Sequence, residues 1–166
     1  MAAKIQGTIQ ASVKLLVSDV QDNAQLAAQI DASFPALAIP SSADALFDKK
    51  ATLAPSATVD HDLSGALVNP FGDPAVFVRV FAIALTAADA NVNDVVLGGA
   101  ATNAFLGPFA DATDKVKVPP GGAVLFQAKA PTGWVVTPAT ADLLRVGNGG
   151  AGTSVDYRLI VLGASA

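Results

Sequence analysis

From Lys4 to Leu15 apolar and polar positions alternate almost strictly. Ile5, Gly7, Ile9, Ala11, Val13 and Leu15 fall on one side, and Lys4, Gln6, Thr8, Gln10, Ser12 and Lys14 on the other. A period of two sends successive side chains to opposite faces of a strand, so this pattern predicts a half-buried antiparallel strand. After Ser18 the spacing lengthens: Ser18 and Gln21 have capping-box separation, and Val20, Ala24, Ala27 and Ile30 recur at helical intervals until Phe34-Pro35. One short N-terminal helix is predicted there. Residues 35–57 are rich in Ala, Pro and Ser without a clear period, which predicts a long surface excursion containing at most short strands.

From Thr58 onward short apolar runs are separated by turn signals at regular intervals. Strands are predicted near 58–68, 75–87, 94–99, 115–118, 122–130, 133–137, 142–147 and 154–163. The punctuation is Asn69-Pro70-Phe71-Gly72-Asp73-Pro74, Asn91 to Asp94, Gly107-Pro108, Pro119-Pro120-Gly121-Gly122, Pro131-Thr132-Gly133 and Gly147-Asn148-Gly149-Gly150. Glycine supplies positive φ and proline pre-sets φ, so these are turns with a physical cause. Many short strands and almost no helix predict an all-β fold, a jelly-roll-like antiparallel β-sandwich. With no fixed-period repeat and no linker, the expected organisation is one domain over 1–166, with 1–17 as an N-terminal strand or arm and 35–57 as the excursion.

The run Val76 to Leu85 is apolar on both faces, with Val76, Val78, Val80 and Ala82 on one and Phe77, Phe81, Ile83 and Leu85 on the other. A strand of this kind needs cover on its second face, from the excursion or from another subunit. Arg79 interrupts it. Its long stem lets it snorkel or pair locally with an Asp; an intersubunit salt bridge is the sharper alternative.

Composition adds to this picture. Hydrophobic residues make up 52% of the 166 and charged residues 14%, a surplus of apolar surface that an oligomer or a docked partner would cover. The net charge is −4, and the ten Lys and Arg are scattered from Lys4 to Arg158, so no cluster tracks phosphates and direct nucleic-acid binding is not expected. The chain has no cysteine, which removes disulfides, thiolate metal sites and cysteine nucleophiles. Gln6, Thr8 and Gln10 interrupt any signal-peptide core. The longest apolar run, Ala75 to Leu85, contains Arg79 and falls short of the roughly 20 residues that span a bilayer; a soluble protein without membrane partners is expected.

Four candidates for chemistry stand out. Gly147-Asn148-Gly149-Gly150-Ala151-Gly152 is formally G-x-G-x-x-G, but a dinucleotide site needs a helix after it. Here Thr153 to Leu162 reads as a strand, so a hairpin tip is expected. Asp89, Asn91 and Asn93 begin like an EF-hand loop, yet Asp94 and Ala100 stand where Gly and Glu are required; a polar turn is expected. His61 lies between Asp60 and Asp62, which in a strand point away from it, so the three do not converge on a metal, and no G-x-S-x-G elbow presents a serine. An exposed or turn-capping histidine is expected. Trp134 could stack on a sugar, but with one Trp and one Tyr in the chain packing is expected. No catalytic, cofactor-binding or metal-binding residue is assigned, and an enzyme is not expected.

As a set, certain runs resemble a family of small virion structural proteins of tailed bacteriophages and prophages. They are Ala43-Asp44-Ala45-Leu46-Phe47-Asp48, Thr52-Leu53-Ala54, Asp62-Leu63-Ser64-Gly65 with Leu67 and Phe71-Gly72, and Phe77 through Ile83. The order continues with Asn91 to Gly98, Ala104-Phe105-Leu106-Gly107-Pro108-Phe109, Val118 to Gly122, Gly133-Trp134, Asp142 to Val146 and Tyr157 to Gly163. The similarity lies in the order of these runs, strongest from about Ala43 to Gly163. It implies a jelly-roll capsid decoration, or cement, protein, a homotrimer on the outer surface of the phage head that contacts the major capsid protein. It would be made in the bacterial cytoplasm and carries no family active site. The alternative is a tail- or fibre-associated sandwich subunit that binds host-surface glycan, which would require an exposed aromatic platform near Trp134 or Tyr157.

Overall fold

The computed structural model describes residues 39–65, 67–128 and 132–166 with their side chains, and the strand backbones within residues 8–38. In chain order the strands are β1 (Thr8–Ile9), β2 (Ser12–Gln21), β3 (Ala24–Ser33), β4 (Leu37–Ala38), β5 (Ala45–Leu53), β6 (Thr58–Asp62), β7 (Arg79–Ala87), β8 (Val95–Gly98), β9 (Lys115–Val118), β10 (Ala123–Gln127), β11 (Trp134–Val135), β12 (Leu143–Asn148) and β13 (Val155–Ala164).

Two antiparallel sheets carry the body. One is ordered β10-β7-β13-β5, with β11 continuing along β7 beyond β10; the other is β6-β12-β8-β9. The pairs β5/β13, β6/β12, β7/β10 and β8/β9 nest around the β8–β9 connection. The chain is thus folded in half as one long ribbon and rolled into two sheets, the jelly-roll arrangement, with β5 and β10 as the outer strands of one sheet and β6 and β9 of the other. The inward positions of both sheets form one core, with Phe47, Phe77, Ile83, Leu85, Leu97, Leu144, Val146, Leu159 and Val161 all buried. Area removed from water at roughly 25 cal/mol per Å² is what holds a chain without disulfides together.

A smaller cluster lies on the opposite face of the five-stranded sheet, where Phe81, Ala82, Leu162 and Ala164 are covered by Ala43 and flanked by Ile39 and Leu46. A β-bulge makes this possible: Leu162 pairs with Ala82 and Gly163 with Val80, leaving Phe81 as the extra residue. The bulge re-aims the strand, so Val80 and Ile83 join the main core while Phe81 and Ala82 turn outward together. The simple two-face alternation expected for Val76 to Leu85 fails there. Gly163 is required opposite the bulge, because a Cβ on it would sit 2.0 Å from the Arg79 carbonyl oxygen.

Three expectations are corrected. The described residues contain no helix: Ala24–Ser33, expected as helical, is strand β3, paired with β2 from Ser12↔Ser33 to Gln21↔Ala24. The excursion at 35–57 contains the nine-residue strand β5, paired along its length with β13, so it belongs to the body of the sandwich. The alternating N-terminal segment is divided between β1, which pairs with β4, and the start of β2; residues 1–7, 10 and 11 lie outside the described residues. Of the later strands, those expected at 94–99, 115–118, 142–147 and 154–163 fall within a residue of their places; the run from 58 ends at Asp62 and the turn after it leads to a bridge between Val68 and Pro74, the strand expected at 75–87 begins only at Arg79, those expected at 122–130 and 133–137 are confined to Ala123–Gln127 and Trp134–Val135, and residues 129 and 130 lie outside the described residues.

Candidate functional site

His61 is the one histidine of the chain, and it is buried at 7% exposure. The expected exposed position is wrong because Val59 and Leu63, two residues either side, set the inward face of β6, and His61 shares their parity. Its ring lies 5.3 Å from that of Phe47 and 6.5 Å from that of Tyr157, with Nε2 3.2 Å from the Tyr157 hydroxyl. Burial drives its pKa down from 6.5 to about 4, against the pull of Asp60, so the imidazole is neutral at pH 7. Burial likewise raises the Tyr157 phenol. Asp60 turns outward and receives two hydrogen bonds from Arg145, both at 2.7 Å, which raises the guanidinium pKa. His61 is a packing group that crosses the sandwich, and Asp60 and Asp62 do not join it.

Asp62 accepts from the Ser64 amide at 3.0 Å, and the Ser64 hydroxyl lies 2.8 Å from Oδ2 of Asp142. Asp142 is 3% exposed and also accepts from the Ala139 amide at 2.6 Å, while its Oδ1 is buried without a hydrogen-bond partner. The carboxylate staples the turn before β12 to the turn after β6. Among the described residues no group of three or more His, Cys, Asp or Glu is placed to hold a metal ion.

The EF-hand-like residues are used for fastening. Asn91 exchanges two hydrogen bonds with the Asp156 backbone, at 2.9 and 2.8 Å. The Asn93 amide donates to Asn148 Oδ1 and to the Thr153 carbonyl, both at 3.0 Å. Asn148 is buried and in turn donates to the Ala54 and Thr153 carbonyls at 3.1 and 2.8 Å and accepts from the Gly150 amide at 3.1 Å. The glycine-rich loop leads into strand β13, as expected from its sequence. It is a crossover between the two sheets, since β12 and β13 belong to different ones, and the expected hairpin is not formed.

Trp134 is half-buried and packs against the main core, and Tyr157 is buried within it. Neither forms an exposed aromatic platform. Arg79, expected to snorkel or to pair locally with an Asp, donates to a backbone acceptor, the Thr132 carbonyl, at 3.0 Å. The bidentate pair on this sheet is Arg158 with Asp48, at 2.8 and 2.6 Å, and it lowers the Asp48 pKa.

One exposed turn carries a large apolar side chain on a hydrogen-bonded frame. Between β6 and β7, Asn69 Oδ1 accepts from the amides of Phe71 and Asp73 at 2.8 and 3.0 Å, and the Asn69 amide donates to the Asp73 carbonyl at 2.8 Å. Gly72, at φ 90°, closes the turn. Phe71 stands at its tip, 83% exposed, next to the exposed Val68. The same Asn-Pro-Phe-Gly-Asp-Pro run read as punctuation; the signal it carried was a large aromatic among turn residues. Beside it lies a groove of about 340 Å³ lined by Phe47, His61, Leu67 and Val68. A second, open trough of about 550 Å³ runs over the outer face of the five-stranded sheet, between Lys50, Thr52, Thr86 and Arg158.

No protein-family model, curated protein or solved structure matches this chain.

Proposed function

We propose that this chain is a non-enzymatic structural subunit of a tailed-phage virion, a decoration protein that binds the outside of the head as a homotrimer and strengthens contacts between major capsid proteins. The observation that carries the reading is the division of labour among its side chains. The polar groups that could do chemistry, Asp142, Asn91, Asn93 and Asn148, are spent fastening loops to the sandwich. Of the large apolar side chains that stay exposed, Phe71 is the most exposed, on a turn whose backbone amides are held by Asn69. A rigid apolar anchor is what a docking surface needs, because its ordering cost is met before the partner arrives. The apolar composition and the resemblance of the order of its runs to small phage virion proteins support the same reading, and the jelly roll is a fold that capsid proteins use.

The test is co-sedimentation of the purified protein with phage heads that lack it. Saturable binding at a fixed copy number per head is expected. Failure to bind heads while binding isolated tails would replace the reading with the tail-associated one.

A further inference from the structure

The four-stranded sheet ends in two edges of opposite charge. Among the described residues its outer strands β6 and β9 each have one neighbour in the sheet, β12 and β8. Antiparallel pairing turns the backbone groups of alternate residues toward the neighbour and the rest away from it. The Asn148 amide donates to the Ala57 carbonyl and the Leu63 amide to the Asp142 carbonyl. Ala57, Val59, His61 and Leu63 therefore face β12, and the N–H and C=O groups of Thr58, Asp60 and Asp62 face outward. On the other side the Gly149 amide donates to the Asp94 carbonyl, so Asp94, Val96 and Gly98 face β12, while Val95 and Leu97 face Val118 and Val116 of β9. That leaves the backbone groups of Lys115 and Lys117 facing outward at the second edge.

The side chains of these edge residues share the outer face of the sheet. Thr58, Arg145, Lys115 and Lys117 line one trough of about 360 Å³ there, and Asp60 meets Arg145 on the same face. Asp60 and Asp62 on one edge, and Lys115 and Lys117 on the other, are each two residues apart, about 7 Å along a strand. Both lysines are exposed and make no ion pair among the described residues. Short charged edge strands, and a proline such as Pro119 after β9, are devices that keep sheets from joining. That purpose calls for one sign of charge on both edges, because like charges directly opposite repel and unlike charges attract. Here the signs are opposite, and head-to-tail joining is favoured.

We infer that β6 of one copy adds to β9 of the next, with Asp60 opposite Lys117 and Asp62 opposite Lys115, so that the sheet continues from subunit to subunit. Three antiparallel pairings separate β6 from β9, so the two strands run in opposite directions. A neighbour turned about an axis along the strands thus presents its β6 antiparallel to β9, with its outer face on the same side. Such a contact is heterologous, the kind that closes into a ring. Five residues of β6 and four of β9 give a joint only about 13–16 Å long, so between free chains it is weak and transient. It persists where copies are held side by side at millimolar effective concentration, as subunits docked on a shell are. The inference deepens the proposed function by naming what aligns the docked copies, and rests on it for that crowding alone.

Disulfide trapping reads a weak joint directly, and the chain has no cysteine of its own. Opposite residues that exchange hydrogen bonds lie about 5.5 Å apart at Cα, within disulfide reach. Positions 60 and 117 of one chain are three strand spacings apart, about 14 Å, and cannot close on themselves. Full-length Asp60→Cys and Lys117→Cys chains are mixed at high concentration under a mild oxidant. The mixed two-chain disulfide should form about tenfold faster than the link between Asp60→Cys and Lys50→Cys, an exposed lysine of the other sheet, and should slow severalfold in about 1 M salt. Asp62→Cys with Lys115→Cys should behave alike, so that a folding defect in one pair does not decide the result. Mixed pairs that link no faster than the control, at both positions, overturn the inference. So does a faster link of Asp60→Cys to itself, the mark of a two-fold contact. None of these measurements needs a phage head: mixed links in a protein that ignores heads leave the joint standing and remove the proposed function, and head binding without mixed links removes the joint alone.

Discussion

His61 Nε2 and the Tyr157 hydroxyl meet 3.2 Å apart in the core, joining β6 of one sheet to β13 of the other. The contact is made by a neutral ring, and that fixes how stability responds to pH. In the unfolded chain His61 titrates near 6.5; in the fold burial holds it to about 4. Between those values the unfolded state binds the extra proton, so stability falls as pH falls. At one pKa step per 1.36 kcal/mol the loss reaches about 3 kcal/mol by pH 4. Urea midpoints at pH 7, 5.5 and 4.5 should fall steadily in the native chain and much less steeply in His61→Gln. Because the chain has one histidine, an equal slope in both would show that burial does not control this group.

The Asn148 side chain hydrogen-bonds Ala54, Asn93, Gly150 and Thr153 at the crossover between the sheets. Replacing it with Ala removes the acceptor of the Gly150 amide and one partner each of the Asn93 side chain and the Ala54 and Thr153 carbonyls, which keep bonds from Ala57 and Asn93. A lost hydrogen bond costs about 1 kcal/mol and an unsatisfied buried donor about 1–3 kcal/mol. A net loss of about 2 kcal/mol in urea unfolding is expected, and more for Asn148→Asp at pH 7, which points a charge at the Ala54 and Thr153 carbonyls.

Gly163 faces the bulge at Phe81. In Gly163→Ala the new methyl would overlap the Arg79 carbonyl, which is backbone and cannot swing aside, so a destabilisation of about 3 kcal/mol is expected. A thermal midpoint within a degree of the native chain would mean the β7–β13 register is looser than described.

Phe71 separates folding from docking. At 83% exposure its loss should change stability by less than about 0.5 kcal/mol. Phe71→Ser should nevertheless weaken attachment to heads at least tenfold, measured as the concentration for half-saturation in sedimentation.

The body of the fold was legible in the sequence because its strands are bounded by residues with local reasons to turn. Val95–Gly98, Lys115–Val118 and Leu143–Asn148 lie within a residue of where the pattern put them. The N-terminal segment misled because Val20, Ala24, Ala27 and Ile30 fit a helical period while Ala24, Leu26, Ala28, Ile30 and Ala32 fit a strand equally well. Pairing with β2, a tertiary effect, decided between them. The burial of His61 is encoded at ±2, by Val59 and Leu63, which determine its face, and not by the charged neighbours at ±1. The Phe81 bulge and the inter-sheet path of the glycine-rich loop depend on strands far along the chain, Gly163 and the β13 partner among them, and no local pattern encodes them. The rigid exposure of Phe71 rests on the side chain of Asn69, which sequence marks only as a turn former.

The central claim is attachment to the outside of a phage head, and cryo-electron microscopy of the particle made by the genome that encodes this chain tests it most directly. Jelly-roll density is expected on the outer surface of the shell at its local symmetry axes, with Phe71 turned toward the major capsid protein. The same fold found only along the tail, or an outer shell free of it, would contradict attachment to the head.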